Sequence, residues 1–449
     1  MNETQLYKNK NVFYLPVILS TVCYYWLCYQ AERKNFSQVF GLYTLLFVAY
    51  YFLIRFFSIV NFKYLLLAGL GFRILLLFSI PNLSDDVYRF IWDGRLAANG
   101  INPFIHLPSE IIQMPAITGI TKALFLQVNS KDYFTIYPPV MQGIFWLSGK
   151  LFPVNVFAAI VFMKCFILLV EVATGCLLIK LLEILFLSKQ FCLLYILNPL
   201  VITELTGNVH FDGLMIFFIL LAFFLLLKNS RHSSAIALGL GIATKLLPIL
   251  FLPLIIYKLG WKKGLLYLII AGVTTLALFA FVFNISMAQH MLQSVDLFIQ
   301  KFEFNASVYY VVRYLGKLIS GYNIIAFAGP FLILFSTLLI LFISFKRNNS
   351  SQIFTKGLFL ISAWFLFSTT VHPWYICLPV ALAIFTQYRY AIIWSYLTTL
   401  SYYAYYSTPV KESLLLIAIN YLIVAGYAFS EIRKNVYLKK FSPKNNEGI

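Results

Sequence analysis

Apolar stretches about as long as a bilayer is thick divide this chain from end to end. A helix needs roughly 20 mainly apolar residues to cross the hydrocarbon core. Such stretches cover residues 12–30, 38–58, 62–80, 155–184, 190–206, 211–227, 264–285, 324–345, 354–371, 373–388, 390–407 and 412–430. No water reaches the backbone in lipid, so each segment must satisfy its own N–H and C=O groups as a helix. The fold class expected is all-α: a polytopic integral membrane protein with 11 to 14 transmembrane helices. A composition that is 61% apolar and 11% charged agrees. The apolar pattern has little helical periodicity, as expected of helices buried all round or facing lipid.

Charge sets the orientation. The chain carries 34 Lys and Arg against 16 Asp and Glu, a net +18. The bases cluster in short loops between apolar spans, where they set topology and meet anionic headgroups of membrane lipids. No basic-aromatic soluble domain exists to host a nucleic acid, so that partner is excluded. Cys23, Cys28, Cys165, Cys176, Cys192 and Cys377 all lie in apolar segments with no CxxC, and read as small core residues. No short signal peptide precedes the first span. One polytopic domain is expected over 1–430, with an extracytoplasmic loop at 81–154 and a frayed, basic cytoplasmic tail at 431–449.

Two stretches resist the span count. Residues 138–152 are too short and interrupted. Residues 233–257 are long enough, but Lys228 and Arg231 precede them and Lys258, Lys262 and Lys263 come after. A single crossing would leave one basic flank outside. A re-entrant hairpin turning near Ala243-Thr244-Lys245 resolves the conflict, since irregular backbone at depth is tolerated where it lines a cavity. With Lys8 and Lys10 inside, the loop after Pro81, Gly207 to Asp212, 286–322 and His372-Pro373 then face out. Ser188-Lys189, both hairpin flanks, Lys346-Arg347, Arg389 and the tail face in.

The most charged stretch is PNLSDDVYRFIWDGRLAANGINPF, residues 81–104. Ser84 is a natural N-cap, Asp85 and Asp86 fall in a first helical turn, and Asn99-Gly100 is a stop signal. Asp86, Arg89 or Phe90, and Asp93 share one face, which we read as the chemical face of an amphipathic loop helix. The carboxylate pair suits a general base, a divalent-cation site or a structural cap paired with Arg89.

Other polar motifs face the same side. Tyr137-Pro138-Pro139 opens a helix. His210-Phe211-Asp212-Gly213 starts a span, with Asp212 as its cap or as a functional carboxylate. Val371-His372-Pro373-Trp374-Tyr375 joins two spans, its aromatics suited to a membrane belt or to a site. Lys245 lies inside an apolar stretch, where a lysine defaults to a functional reading. A distant carboxylate such as Glu171, or a ligand phosphate, must offset it, and we favour the phosphate. Arg73, Lys164 and Glu171 read as structural pairing, Lys164 and Glu171 being seven apart on one face.

In order, SDDVYRFIWDGRLAANGINPF, YPP, NVHFDG, ATKLLPILFLP and TTVHPWY resemble the GT-C membrane glycosyltransferases, over about residues 81–375. The nearest branch is the bacterial polyprenyl-phosphate-mannose-dependent mannosyltransferases. The resemblance implies an outward-facing cavity, a lipid-phosphate sugar donor, and an acidic base in the first large extracytoplasmic loop, here Asp85 or Asp86. It places the chain in the bacterial cytoplasmic membrane. Two additional spans precede the loop, so span numbering does not carry over.

The chemistry fits the residues on its own. A polyprenyl-phosphate sugar carries its leaving group with it, and the sequence has no Gly-rich nucleotide loop. A carboxylate deprotonates an acceptor hydroxyl on a glycan or lipid-linked acceptor, and Lys245 with Arg89 or Arg95 stabilises the departing phosphate. Tyr137, His210, Asp212, His372, Trp374 and Tyr375 complete the expected substrate contacts. No cofactor is required beyond a possible divalent cation at Asp85/Asp86. A single displacement with inversion is expected. The rival class is a lipid or lipid-linked-sugar transporter or flippase, but no internal repeat is visible.

Overall fold

The computed structural model describes residues 13–55, 61–282, 285–346 and 352–441. Lys8, Lys10, Arg347 and the tail from 442 lie outside the described residues, as do residue 12 of the 12–30 span, 56–58 of the 38–58 span and 283–284 of the 264–285 span. The described residues are helical throughout and form no strand, only an isolated bridge between Phe304 and Thr370. The all-α expectation for a membrane protein holds.

Helix α1 (Tyr14–Tyr25) runs into a π-turn, Trp26–Gln30, and is followed by α2 (Phe36–Arg55) and α3 (Phe62–Leu75). The loop carries α4 (Asp86–Ala98) and α5 (Pro139–Leu151). Then come α6 (Val156–Ile184) and a broken pair, Lys189–Ile196 and Pro199–Gly207, bent by 54°. Next are α7 (Asp212–Leu227), α8 (Arg231–Ile242), α9 (Leu247–Leu259), α10 (Trp261–Ala280), α11 (Ile285–Gln300) and α12 (Val308–Ser320). The chain closes with α13 (Ile325–Phe345), α14 (Ile353–Phe367), α15 (Pro373–Ala383), α16 (Tyr390–Leu397) and α17 (Leu414–Phe441). Among the described residues, α2, α6, α10, α13 and α17 are each long and apolar enough to cross a membrane, and the bent pair makes a sixth. Helices α7, α9, α14 and α15 are apolar but shorter.

Residues 138–152 form no span. They become α5, which crosses α4 at two glycines. A Cβ on Gly94 would lie 2.0 Å from the Phe145 carbonyl oxygen, and one on Gly149 would lie 2.3 Å from that of Gly94. Phe90 and Phe145 stack beside this crossing at 4.6 Å.

The hairpin exists as a reversal of the chain. Ser234 on α8 bonds Tyr267 on α10, and Thr275 of α10 bonds the Gly239 carbonyl. So α8 and α10 run the same way. Gly264 near the start of α10 packs on Ile256, across the Gly260 turn (φ +75°), so α9 runs back against both. The reversal spans 243–246, and the Ala243 carbonyl at its tip accepts a hydrogen bond from Val140 N–H at the start of α5, 3.1 Å. The Tyr-Pro-Pro motif thus docks the loop onto the hairpin.

The intramembrane charges pair differently from expectation. Glu171 takes Arg73 (3.0 Å) and the Tyr195 hydroxyl (3.0 Å), not Lys164. Arg73 also donates to the Gly69 and Ile196 carbonyls, 3.0 and 2.7 Å. Lys164 donates to the Leu76 carbonyl (2.8 Å) and Ser79 (2.7 Å), where α3 has ended and its last carbonyls lack helical partners. At the other end of the chain α17 continues past Glu431 to Phe441 rather than fraying at 431. The Glu431 carboxylate accepts from the Arg389 and Tyr390 N–H groups, 2.8 and 3.1 Å.

Candidate active site

The loop helix begins at Asp86, with Asp85 as its N-cap. Ser84 therefore sits one residue too early to cap it; its hydroxyl only accepts from Asp86 N–H at 3.4 Å. The two carboxylates diverge at once. Asp85 is bound by Arg33 at 2.6 Å, and the Arg33 guanidinium lies 4.4 Å over the Tyr405 ring. Asp86 accepts from the Asn129 side chain on one oxygen, 2.8 Å. Its other oxygen stands 3.9 Å from Nε2 of His210, too far for a hydrogen bond.

His210 arrives on a strained segment. A π-turn, Ile202–Gly207, precedes it, and Val209 sits at φ +62°, a genuine outlier for a β-branched residue. Such strain persists only where the surroundings impose it. Here Glu204, fully buried, imposes it. It receives the hydroxyls of Tyr43 (3.0 Å) and Tyr402 and the Asn208 amide (3.4 Å). His210 Nδ1 lies 3.0 Å from the Glu204 carbonyl and 3.3 Å from its carboxylate. Two acceptors around Nδ1 assign the proton there by the hydrogen-bond network, leaving the Nε2 lone pair free. Nε2 is buried and has no partner.

Two residues on, Asp212 opens α7 and pairs with Lys245 at 2.7 Å. Lys245 also lies 4.2 Å over the Tyr375 ring. Its offset is thus neither Glu171 nor anything within its own helical turn, but Asp212, 33 residues away. The two halves of the site are joined by rings. His210 stacks on Trp374 at 3.8 Å, Trp374 on His372 at 4.4 Å and His372 on Phe304 at 4.9 Å. The bridge between Phe304 and the 369–371 segment holds this loop, with Asn305 donating to the Val371 carbonyl. Burial, then the neighbouring Lys245 and His210, push the His372 imidazole down to about 3, so it is neutral. Tyr137 packs edge-on against Phe90 at 4.9 Å, and burial with the Asp86 charge pushes its phenol up, holding it as a proton donor.

Arg89 and Arg95 are not with this group. Arg89 is buried and bonds Asp93 (2.8 Å) and the Ser130 and Tyr133 carbonyls (2.9 and 2.8 Å). Gln142 completes Asp93 at 3.1 Å. Arg95 donates to the Gly119 carbonyl at 2.8 Å. The face of Arg89 and Asp93 therefore pins the returning loop across α4. The cation that does stand at the carboxylates, Arg33, was missed. It lies in the basic Glu32-Arg33-Lys34 loop, which looks like a topology marker. Glu204 was missed too, although an acid inside an apolar segment is itself a signal. Arg33 occupies Asp85, and among the described residues no three His, Cys, Asp or Glu side chains are grouped to hold a metal ion.

The arrangement offers a carboxylate with a free oxygen, a neutral imidazole opposite it, and a cation held by one carboxylate. That set can deprotonate a hydroxyl and neutralise an anionic leaving group. No curated protein matches the chain. The family of alpha-(1->6)-mannopyranosyltransferases, through its N-terminal domain, matches residues 17–260, which include the loop helix, the His210 segment and the Lys245 hairpin. Together with its apolar helices, that match makes this chain a membrane mannosyltransferase, a member of the MptA_B family of alpha-(1->6)-mannopyranosyltransferases.

Proposed function

We propose that the protein transfers mannose from a polyprenyl-phosphate donor to a hydroxyl of a glycan or lipid-linked acceptor, on the extracytoplasmic face of the bacterial cytoplasmic membrane. The observation that carries this reading is the 3.9 Å gap between Asp86 and the unpartnered Nε2 of His210, with Lys245 held nearby through Asp212. Asp86, not Asp85, is the base: Arg33 occupies Asp85. The acceptor hydroxyl gives its proton to Asp86 and its oxygen forms the bond to the anomeric carbon. The bond from that carbon to the phosphate oxygen breaks, and the electron pair leaves with the lipid phosphate.

Lys245 meets the growing phosphate charge, exchanging Asp212 for it. Arg33 replaces Arg89 and Arg95 as the second cation within reach, and with it on Asp85 the reaction needs no divalent cation. Tyr137, His372, Trp374 and Tyr375 line the path between base and lysine. One displacement inverts the anomeric centre, since no second nucleophile is placed for retention. The test is transfer of labelled mannose from polyprenyl-phosphate mannose by purified protein in detergent, with no membrane gradient and with EDTA present. A transporter transfers nothing under these conditions, and that result sinks the reading.

A further inference from the structure

Asp86 is a poor final resting place for a proton. Its side chain is 22% exposed, and a proton left on it blocks the base for the next acceptor. Beside it stands an imidazole that is 3% exposed and unpartnered at Nε2. Its other nitrogen is held by the backbone carbonyl of Glu204 at 3.0 Å, with the Glu204 carboxylate, which never reaches solvent, 3.3 Å away. That carboxylate is itself held by two phenols and an amide. Such a stack of constraints exceeds what capping a span requires. It resembles the arrangement in which an acceptor at one ring nitrogen sets the tautomer of a histidine and a nearby carboxylate stabilises its cation.

We propose that His210 is the terminal proton acceptor of the transfer reaction and that Glu204 is its positioning residue. The inference rests on the proposed function, in which Asp86 touches the acceptor hydroxyl. Asp86 takes the hydroxyl proton as the bond to the anomeric carbon forms. The Asp86 carboxyl O–H then transfers its proton across to Nε2, which closes on the carboxylate from 3.9 Å. The product state is an imidazolium between two carboxylates, Asp86 and Glu204, and the proton later leaves through the exposed side of Asp86. No oxidant or further reactant is needed. The stacking of His210 on Trp374 at 3.8 Å restrains the ring.

The charged and titratable groups around His210 come from several elements. Glu204 lies in its own segment, Asp86 on α4, and His372 beyond Trp374. Lys245 on the hairpin acts on His372. Tyr43 from α2 and Tyr402 from the 398–406 turn face Glu204, with Cys28 also near it.

The experiment is the pH profile of kcat/KM for mannosyl transfer, from about pH 4.5 to 9, spanning the carboxylate and imidazole ranges. The wild type should lose activity on acidification, because a protonated His210 accepts nothing. His210→Gln should fall about 100-fold at neutral pH, and its acid limb should move to lower pH. Glu204→Gln removes the charge that stabilises the imidazolium and should move the limb in the same direction. A merely structural His210 would lower the rate without moving the limb. An unmoved limb in His210→Gln overturns the inference; if that variant does not fold, an unmoved limb in Glu204→Gln does so. Failure of the wild type to transfer from the lipid donor at any pH would overturn the proposed function instead, so the two failures are distinct.

Discussion

Replacing Lys245 by Met keeps the side-chain length and removes one charge, and the geometry of its ion pair sets the size of the effect. Lys245 is 30% exposed and Asp212 8%, with 2.7 Å between nitrogen and oxygen. Coulomb attraction at that distance is about 1.5 kcal/mol with the dielectric of water and about 6 kcal/mol at an effective dielectric of about 20. Desolvation of Asp212 and the exposure of the lysine remove much of this, so we expect a net destabilisation of about 1–3 kcal/mol. The cost belongs to the stranded Asp212 carboxylate. Asp212→Asn in the same chain should therefore restore most of it, whereas Glu171→Gln should not, because Glu171 serves Arg73.

Donor binding separates this from the catalytic role. Thermal melting in detergent, with and without polyprenyl-phosphate mannose, should show a donor-induced shift in the wild type and a loss of that shift in Lys245→Met. Asp212→Asn alone frees the lysine and should keep the shift. Lys245→Arg should keep part of it, since a planar fork still meets phosphate oxygens with altered geometry. A full donor-induced shift in Lys245→Met refutes the phosphate role.

Three further outcomes are expected from the packing. Gly94→Ala puts a methyl into the Phe145 carbonyl and should cost about 3 kcal/mol or more, read as early melting and lost transfer, while Gly143→Ala, whose Cβ meets nothing within 4 Å, should melt like the wild type. With native cysteines removed, a cysteine at Gln113 should react with a membrane-impermeant thiol reagent, whereas cysteines at Asn229 and Lys262 should both be protected. Protection of only one of the pair makes 233–257 a single crossing. His372, held near 3, favours the folded state at neutral pH and loses that contribution as pH falls from about 6.5 toward 3. His372→Gln should flatten the acid side of a melting-temperature profile without moving the acid limb of the transfer profile.

Much of the site was legible because its signals are local. A carboxylate pair opening a helix, an Asn-Gly stop, a lysine in an apolar stretch and a histidine before a span each announce themselves within a turn or two. The hairpin was legible from its flanking bases, since orientation is a rule about short loops. What the sequence withheld was pairing. Arg33 and Asp85 are 52 residues apart, Tyr402 and Glu204 198, and nothing in a linear pattern says which cation meets which carboxylate. Arg89 and Arg95 misled for the same reason. They sit on the loop helix beside the carboxylates, but their side chains turn to carbonyls of the returning loop, which only the fold supplies. The helix starts one residue later than Ser84 would set it: Asp85, held by Arg33, is the N-cap residue and makes no side-chain cap hydrogen bond.

The most direct test of the account is mannosyl transfer by Asp86→Asn beside Asp85→Asn, each purified and shown to melt like the wild type. Asn at 86 still accepts from Asn129 but cannot take a proton. Loss of the base should slow transfer by about 10²–10⁴-fold, or ~2.7–5.5 kcal/mol of barrier, with the donor-induced melting shift retained. Asp85→Asn loses only its ion pair with Arg33 and should remain within about tenfold of the wild type, the scale of a part-exposed pair. Wild-type rates from Asp86→Asn, or a deeper loss from Asp85→Asn than from Asp86→Asn, would contradict it.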